Sequence, residues 1–158
     1  MIECYFDGCC EPTNPGGTAA FGAVIFKDGE RIWDCSRIFR PIPGREKETS
    51  NNVAEYSGFI AILEYLIEHG LQRESILIRG DSNLVIQQMF GTRYGDYVKK
   101  WRIKAGLYVP VAHKAGKLLG QFPRTKGQWI PREENSIADE LSKCELIQAG
   151  IEFRIQPN

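Results

Sequence analysis

The sequence has no apolar run as long as a membrane span, no basic N-terminal region followed by an apolar stretch, and no net charge. The first two absences argue against a membrane or secreted protein, so we expect a cytoplasmic (intracellular) protein. With 20 basic and 20 acidic residues, the chain is not expected to hold nucleic acid by bulk charge. A local basic patch remains compatible with this balance.

The sequence also has few residues that could bind a transition metal. Its five cysteines lie at positions 4, 9, 10, 35 and 144, and no pair has C-x-x-C spacing. Adjacent cysteines such as Cys9 and Cys10 do not normally bind one ion together, and His69 and His113 are not in a metal-type spacing. The stretch DGCCEPTNPGG, residues 7–17, is therefore not predicted to be a zinc site.

What the sequence does contain is an ordered series of strands and helices, which fits a single domain over residues 1–158. Three strands come first, IECYF, AFGAVIFKDG and RIWDCSRIF, the last two joined by a tight Asp28-Gly29 turn. The following segments are a helix from about Asn52 to His69, strand SILIRGD, short helix SNLVIQQMF, a helical pattern over 97–122, strand GQWIP and helix NSIADELSKCELIQAG.

This order of elements predicts a mixed α/β sheet with helices on its faces. The pattern over 97–122 contains Pro110, which does not suit a helix interior. We therefore expect either a kinked helix or two helices, with Pro110 in the first turn of the second.

Four acidic residues lie at the ends of the predicted elements. Asp7 directly follows the first strand, and Asp81 directly follows the fourth. Glu55 lies in the first turn of the first long helix, and Asp139 near the start of the last helix. Carboxylates that converge on one point need a compensating charge, and hard divalent cations such as Mg²⁺ supply it while keeping waters for substrate phosphates.

Each acid also has a purely structural explanation, which the residues alone leave open. Glu55 forms a capping-box pattern with Asn52, and Asp81 could cap the helix that follows it. Asp139 could favour the positive end of the last helix dipole, and Asp7 with the glycine after it could form a turn.

The chain resembles type 1 ribonuclease H, a family of enzymes that cut the RNA strand of RNA/DNA hybrids. The matching stretches are FDGCCEPTNPGG with FGAVIF after it, SNNVAEY, IRGDSNLVIQQ and WIPREENSIADELS, in the family's order over nearly the whole chain. The resemblance implies a ribonuclease H-like fold, a five-stranded mixed sheet of three antiparallel and then two parallel strands with helices on both faces.

The resemblance further implies a two-metal active site. Two Mg²⁺ ions, with Mn²⁺ as a possible substitute, would be held by Asp7, Glu55, Asp81 and Asp139. One ion would help to generate the attacking water and the other would stabilise the leaving 3′-oxygen. The products would carry a 5′-phosphate and a 3′-hydroxyl.

Substrate contacts are also implied. The family reads 2′-hydroxyls in the minor groove of the hybrid, and the candidates for these contacts and for the flanking DNA strand are Asn14, Asn51, Asn52 and Asn83. Ser50 stands where the family usually has threonine, in a pocket for a DNA phosphate. Cys10 is predicted to lie against the substrate backbone. Asn135 is predicted to bind substrate or, with Glu134, to hold the loop and metal site together.

Two features depart from the common family pattern. The loop WIPREEN contains no histidine, and Arg132, seven residues before Asp139, is predicted to assist product release in its place; its alternative is a solvated arginine paired with Glu133 or Glu134. A basic cluster surrounds Trp101 and comprises Lys99, Lys100, Arg102 and Lys104. Such a cluster could bind the phosphates of a nucleic-acid backbone, but we favour a position of Trp101 in the core and of the lysines on the solvent-exposed face of a helix.

Taken together, the residues and the resemblance predict a monomeric endonuclease that acts on RNA/DNA hybrids, with no membrane or protein partner and no separate hybrid-binding domain. The first alternative is a non-catalytic binder of hybrid or double-stranded RNA on the same fold, which the intact acid set disfavours. The second is a DNA nuclease on this fold, which the SNNVAE stretch disfavours because it suits 2′-hydroxyl recognition.

Overall fold

The first three strands form an antiparallel meander. The computed structural model describes residues 1–154, and these strands are β1 (Ile2–Glu11), β2 (Thr18–Lys27) and β3 (Glu30–Ile38). Asp28 and Gly29 join β2 to β3 with φ of 51° and 84°, the backbone that a two-residue hairpin turn requires. The predicted hairpin is therefore confirmed. β1 is longer than expected, because DGCCE continues the strand and only residues 12–17 form the loop.

Helices and short strands alternate through the rest of the chain. In order they are α1 (Asn51–Glu68), β4 (Ile76–Gly80), α2 (Asn83–Met89), β5 (Thr92–Tyr94), β6 (Tyr97–Lys99), α3 (Val109–Leu119), β7 (Thr125–Trp129) and α4 (Ser136–Gln148). A short 3₁₀ turn over Arg132–Glu134 precedes α4. Among the helices within residues 1–154, none has the length and hydropathy of a transmembrane segment.

Parallel pairing of β4 with β1 and of β7 with β4 completes a five-stranded sheet in the order β3-β2-β1-β4-β7. The predicted mixed sheet is confirmed. Side chains of β1 alternate between its faces, as the strand geometry requires. Phe6 packs against Phe59 of α1 with ring centroids 5.6 Å apart, whereas the thiol of Cys9 donates to the Ser142 carbonyl of α4 at 3.3 Å. Helices α1 and α4 thus cover opposite faces.

The helical pattern predicted over residues 97–122 is only half right. α3 occupies the second half, with Pro110 in its first turn, and buries Ala112 and Ala115. The first half contains β6 and an irregular segment, and β5 and β6 form a hairpin that the sequence pattern did not predict. Trp101 is 47% exposed, so the expectation of a core tryptophan is wrong. The segment around Trp101 is not helical, since its backbone N–H donates to the Gln87 carbonyl of α2 at 3.1 Å, so the helical stripe that would have buried the side chain does not form.

Candidate active site

Asp7 lies in the middle of β1, which corrects its predicted position after the strand. It is paired with Gly22 of β2, and one of its carboxylate oxygens accepts the Gly8 N–H at 2.9 Å. The side chain is 5% exposed. A carboxylate is therefore built into the central part of the sheet, where little water can solvate its charge.

Two more carboxylates reach Asp7 from neighbouring elements. Asp81 directly follows β4, as predicted, and the parallel pairing of β4 with β1 brings it to the same edge as Asp7. Glu55 comes from the second turn of α1, which approaches β1 so closely that a Cβ on Gly8 would overlap the Glu55 backbone nitrogen. One oxygen from each of the three carboxylates lies within 4.8 Å of the other two. We call these three residues the acid cluster.

If all its carboxylates were ionised, the acid cluster would carry more negative charge than its surroundings compensate. Burial, more than any other cause, and the nearby charge of Asp81 together raise the pKa of Asp7 to about 8. Burial and the charge of Asp7 hold the pKa of Glu55 well above its usual range. Within residues 1–154, the buried Glu55 Oε2 has no hydrogen-bond partner. A cation bound here would satisfy that oxygen and favour the ionised carboxylates.

Asp139 lies in the first turn of α4, as predicted, and two cations flank it. Lys143 Nζ is 3.1 Å from one carboxylate oxygen and Arg132 Nη2 is 3.6 Å from the other. Arg132 thus faces Asp139. The side chain of Asp139 also raises the pKa of Asp7, although burial is the larger cause. Sequence reasoning missed Lys143, although its i, i+4 spacing from Asp139 on a helix is a signal for such a pair.

Asn135 joins the two central strands at the acid cluster. Its side-chain Nδ2 donates to the Phe6 carbonyl at 2.9 Å and to Asp81 Oδ1 at 3.4 Å, and the residue is 1% exposed. Its buried side chain is engaged with Phe6 and Asp81, so the structure gives no support to a direct contact with substrate, which stays a prediction. The alternative role, holding the site together, agrees with this geometry.

The profile of the family described as reverse transcriptase-like matches residues 5–144. The chain belongs to this family. The matched region contains the whole acid cluster as well as Asp139, Arg132 and Lys143.

Relatives of known structure identify the fold within this family. The crystal structure of RNase H1 from the halophilic archaeon Halobacterium salinarum is 28% identical, with a TM-score of 0.72 and coverage of 93% of this chain and 98% of that one. LC11-RNase H1, solved in complex with an RNA/DNA hybrid, is 29% identical, with a TM-score of 0.74 and coverage of 94% and 99%. The chain is thus a ribonuclease H-like domain, as predicted; the loop variant remains a prediction.

A curated relative shows the same likeness over part of a longer protein. The bifunctional protein Rv2228c of Mycobacterium tuberculosis is 33% identical over 129 residues, which cover 82% of this chain and 31% of the relative. The chain therefore spans about a third of the length of the curated relatives it matches first.

Three of the four acids of this reverse transcriptase-like domain do not have the structural role that the sequence left open. Ser50 caps α1 and accepts the Val53 N–H, and Ser82 caps α2 and accepts the Val85 N–H. Neither Glu55 nor Asp81 is needed as a cap. Asp7 lies within a strand and not in a turn. The helix-dipole explanation of Asp139 remains compatible with its place in the first turn of α4.

The candidates for substrate contacts lie in different environments. Asn14, Asn51, Asn52 and Asn83 are exposed, at the β1–β2 loop and at the starts of α1 and α2. The Asn14 side-chain oxygen accepts the Asn51 N–H at 2.9 Å, which fastens the loop to α1. Ser50 is partly buried and engaged as the helix cap. Cys10 is buried and its thiol donates to the Thr13 carbonyl at 3.2 Å, so the structure gives no support to a substrate contact through this side chain, which stays a prediction.

Proposed function

We propose that this chain is an endonuclease that hydrolyses the RNA strand of RNA/DNA hybrids with the help of divalent metal ions, Mg²⁺ in the first place and Mn²⁺ as a substitute. The observation that carries the proposal is the acid cluster, in which three carboxylates from three elements converge around an unpartnered oxygen of Glu55 among the described residues. The family membership and the hybrid-bound relative LC11-RNase H1 support the choice of substrate.

The donor set fits a hard cation. Mg²⁺ takes oxygen ligands and is held by one or two carboxylates together with waters and substrate phosphates. Asp7, Glu55 and Asp81 would hold such an ion, and Asp139 would contribute to a second one from the α4 side. Two divalent ions bound there would supply an activated water and charge stabilisation of the leaving 3′-oxygen, which leaves a 5′-phosphate and a 3′-hydroxyl.

The surrounding residues would keep these ligands in place. Asn135 fixes the distance between β1 and Asp81 through its two donated hydrogen bonds. Lys143 is mostly buried and holds Asp139 by an ion pair on the same helix, whereas Arg132 is largely exposed. We assign Lys143 a positioning role, and Arg132 the role of a mobile cation that assists departure of the product phosphate.

Recognition of the RNA strand would fall to the exposed asparagine side chains near the acid cluster. Each amide offers two donors and one acceptor oxygen, which suits a 2′-hydroxyl that both donates and accepts. Asn52 and Asn83 carry no side-chain hydrogen bond to protein among those found in residues 1–154, and both remain free for this role. Asn14 keeps its amide nitrogen, because only its oxygen is engaged by Asn51.

The decisive experiment compares wild type with Asp81→Asn on a labelled RNA/DNA hybrid in Mg²⁺. Wild type should cut the RNA strand and leave double-stranded DNA nearly intact. Asp81→Asn should lose at least about a thousandfold in cleavage rate, because a metal ligand is worth several kcal/mol in the transition state. It should keep its fold and most of its hybrid affinity.

Asp34→Asn is a matched control, since Asp34 is exposed on the edge strand β3 and its ion pair within residues 1–154 is with Arg31 of the same strand. Wild type that binds the hybrid but never cleaves it with Mg²⁺ or Mn²⁺ would replace the enzyme proposal with a non-catalytic hybrid-binding module.

A further inference from the structure

The hairpin formed by β5 and β6 presents aromatic rings to solvent. In its antiparallel register Tyr94 lies opposite Tyr97, and Thr92 lies opposite Lys99. Residues directly opposite share a face, as do residues two apart along one strand, so both tyrosines and Lys99 lie on the same side. Tyr94 is 62% exposed and Tyr97 61%. Exposed aromatic rings in one group are more often a binding surface than a stability device.

The hairpin and the segment after it concentrate positive charge. Residues 92–104 contain five basic side chains and one acidic one, in a chain whose net charge is zero. The basic cluster defined from the sequence is part of this segment, and all four of its members are exposed. Trp101 among them is also exposed, contrary to its predicted place in the core. Charge and aromatic rings therefore occur on the same accessible segment.

The base of the hairpin is fixed to the domain. Thr92 Oγ1 donates to the Gln87 side chain at 2.8 Å, and the buried side chain of Gln88 donates to the Arg102 carbonyl at 3.1 Å. Both glutamines belong to α2, which begins two residues after Asp81. Seven helical residues span about 10 Å, the length of about three stacked nucleotides of one strand. The hairpin is thus anchored to the end of α2 that lies farther along the helix from Asp81.

We propose that the hairpin of β5 and β6, with the basic cluster beside it, is a binding surface for single-stranded nucleic acid, separate from the acid cluster. Paired bases hide their faces in the duplex stack, whereas unpaired bases can stack on exposed aromatic rings. Basic side chains around the rings then pair with the phosphates of the same strand. An unpaired stretch flanking a duplex bound at the acid cluster is the occupant that this geometry fits.

The test measures binding of a fluorescent oligothymidylate of about 15 nucleotides in the presence of EDTA, so no cleavage is involved. The variant Tyr94→Ala/Tyr97→Ala should weaken binding by at least about tenfold, because each base stacked on an aromatic ring contributes about fivefold or more and two rings are lost. Tyr94→Phe/Tyr97→Phe should keep the affinity, since the ring is retained. Ile147→Ala, which removes an exposed apolar side chain from α4, is the matched control and should have no effect.

A second pair of changes tests the charges. Lys99→Gln/Lys100→Gln should reduce the slope of log affinity against log salt by about 1.4, because each phosphate contact to a single strand contributes about 0.7. Affinity for a blunt RNA/DNA hybrid should not change in the tyrosine-to-alanine variant.

Wild-type protein that fails to bind the oligonucleotide, or an alanine variant that binds it as wild type does, would overturn the proposal. Equal loss of binding to the blunt hybrid would also overturn it, because the surface would then be a general duplex contact. The proposed enzymatic function is independent of this result. A protein that never cleaves hybrid but loses oligonucleotide binding through the tyrosine changes would still confirm the hairpin surface.

Discussion

Replacing Asp7 with asparagine should stabilise the metal-free protein at neutral and alkaline pH. The pKa of Asp7 is raised to about 8, chiefly by burial, from an ordinary value of 3.8. An acid of this kind keeps its proton in the folded state at pH values where the unfolded chain has lost it. Its contribution to stability is therefore complete below about pH 4 and is lost as the pH rises through about 8. Asparagine is neutral throughout and can still accept the Gly8 N–H.

The size of this stability difference follows from the pKa shift of Asp7. Each pH unit between the unfolded and folded pKa removes at most about 1.4 kcal/mol from the free energy of unfolding. Over the three to four units involved the upper bound is about 5 kcal/mol, and entry of water into the cluster reduces it to about 2–4 kcal/mol. For a chain of this length such a difference corresponds to roughly 5–12 °C in Tm.

Urea unfolding in EDTA at about pH 4.5 and about pH 8 measures this difference directly. Wild type and Asp7→Asn should be nearly equal at the lower pH, and the variant should be more stable at the higher one. Saturating Mg²⁺ should reverse the order at the higher pH, because the metal site proposed above would bind it in the folded wild-type protein. An advantage of Asp7→Asn that is the same at both pH values, or that is absent at the higher one, would refute the reasoning.

Three further predictions concern the site and its supports. Arg132→Ala should lower turnover, measured by steady-state kinetics, up to about fivefold, as expected for loss of an exposed ion pair with Asp139, while hybrid affinity in Ca²⁺ changes less. Unchanged turnover would mean that Arg132 is only a solvated charge. Asn135→Ala should cost about 1–3 kcal/mol in urea unfolding, because the buried Phe6 carbonyl loses its side-chain donor; an unchanged midpoint would contradict this. Gly22→Ala should lower the free energy of unfolding by more than about 3 kcal/mol, since its Cβ would lie 2.5 Å from atoms of α4. Gly116→Ala, at an exposed helical position, should instead raise it by about 0.5–1 kcal/mol, and equal effects of the two variants in thermal unfolding would refute the packing argument.

Local signals in the sequence were sufficient for most of the fold. The β2–β3 hairpin follows from Asp28-Gly29, whose backbone preference is a property of two adjacent residues. The helix α1 ends where Gly70 stops the apolar period. The placement of Asp81 after β4 and of Asp139 at the start of α4 follows in the same way, because each depends only on where one element ends.

The features that sequence reasoning missed depend on residues far apart in the chain. The segment after β6 has apolar residues at helical spacing, yet hydrogen bonds to Gln87 and Gln88 hold it in another conformation. Asparagine is a residue type typical of surface loops, but the side-chain amide of Asn135 is buried because it donates to the Phe6 carbonyl and to Asp81. Neither partner can be identified from neighbouring residues.

The sequence by itself determined which carboxylates this protein carries, the order of the strands of its five-stranded sheet and of the helices between them, and the family to which it belongs. Tertiary structure alone decided that Asp7, Glu55 and Asp81 share one buried point, that Lys143 and Arg132 flank Asp139, and that aromatic rings of the β5–β6 hairpin face solvent. The physical reason is that propensity, capping and turn preferences act over a few residues. Charge compensation and burial are set by the elements that the fold brings together.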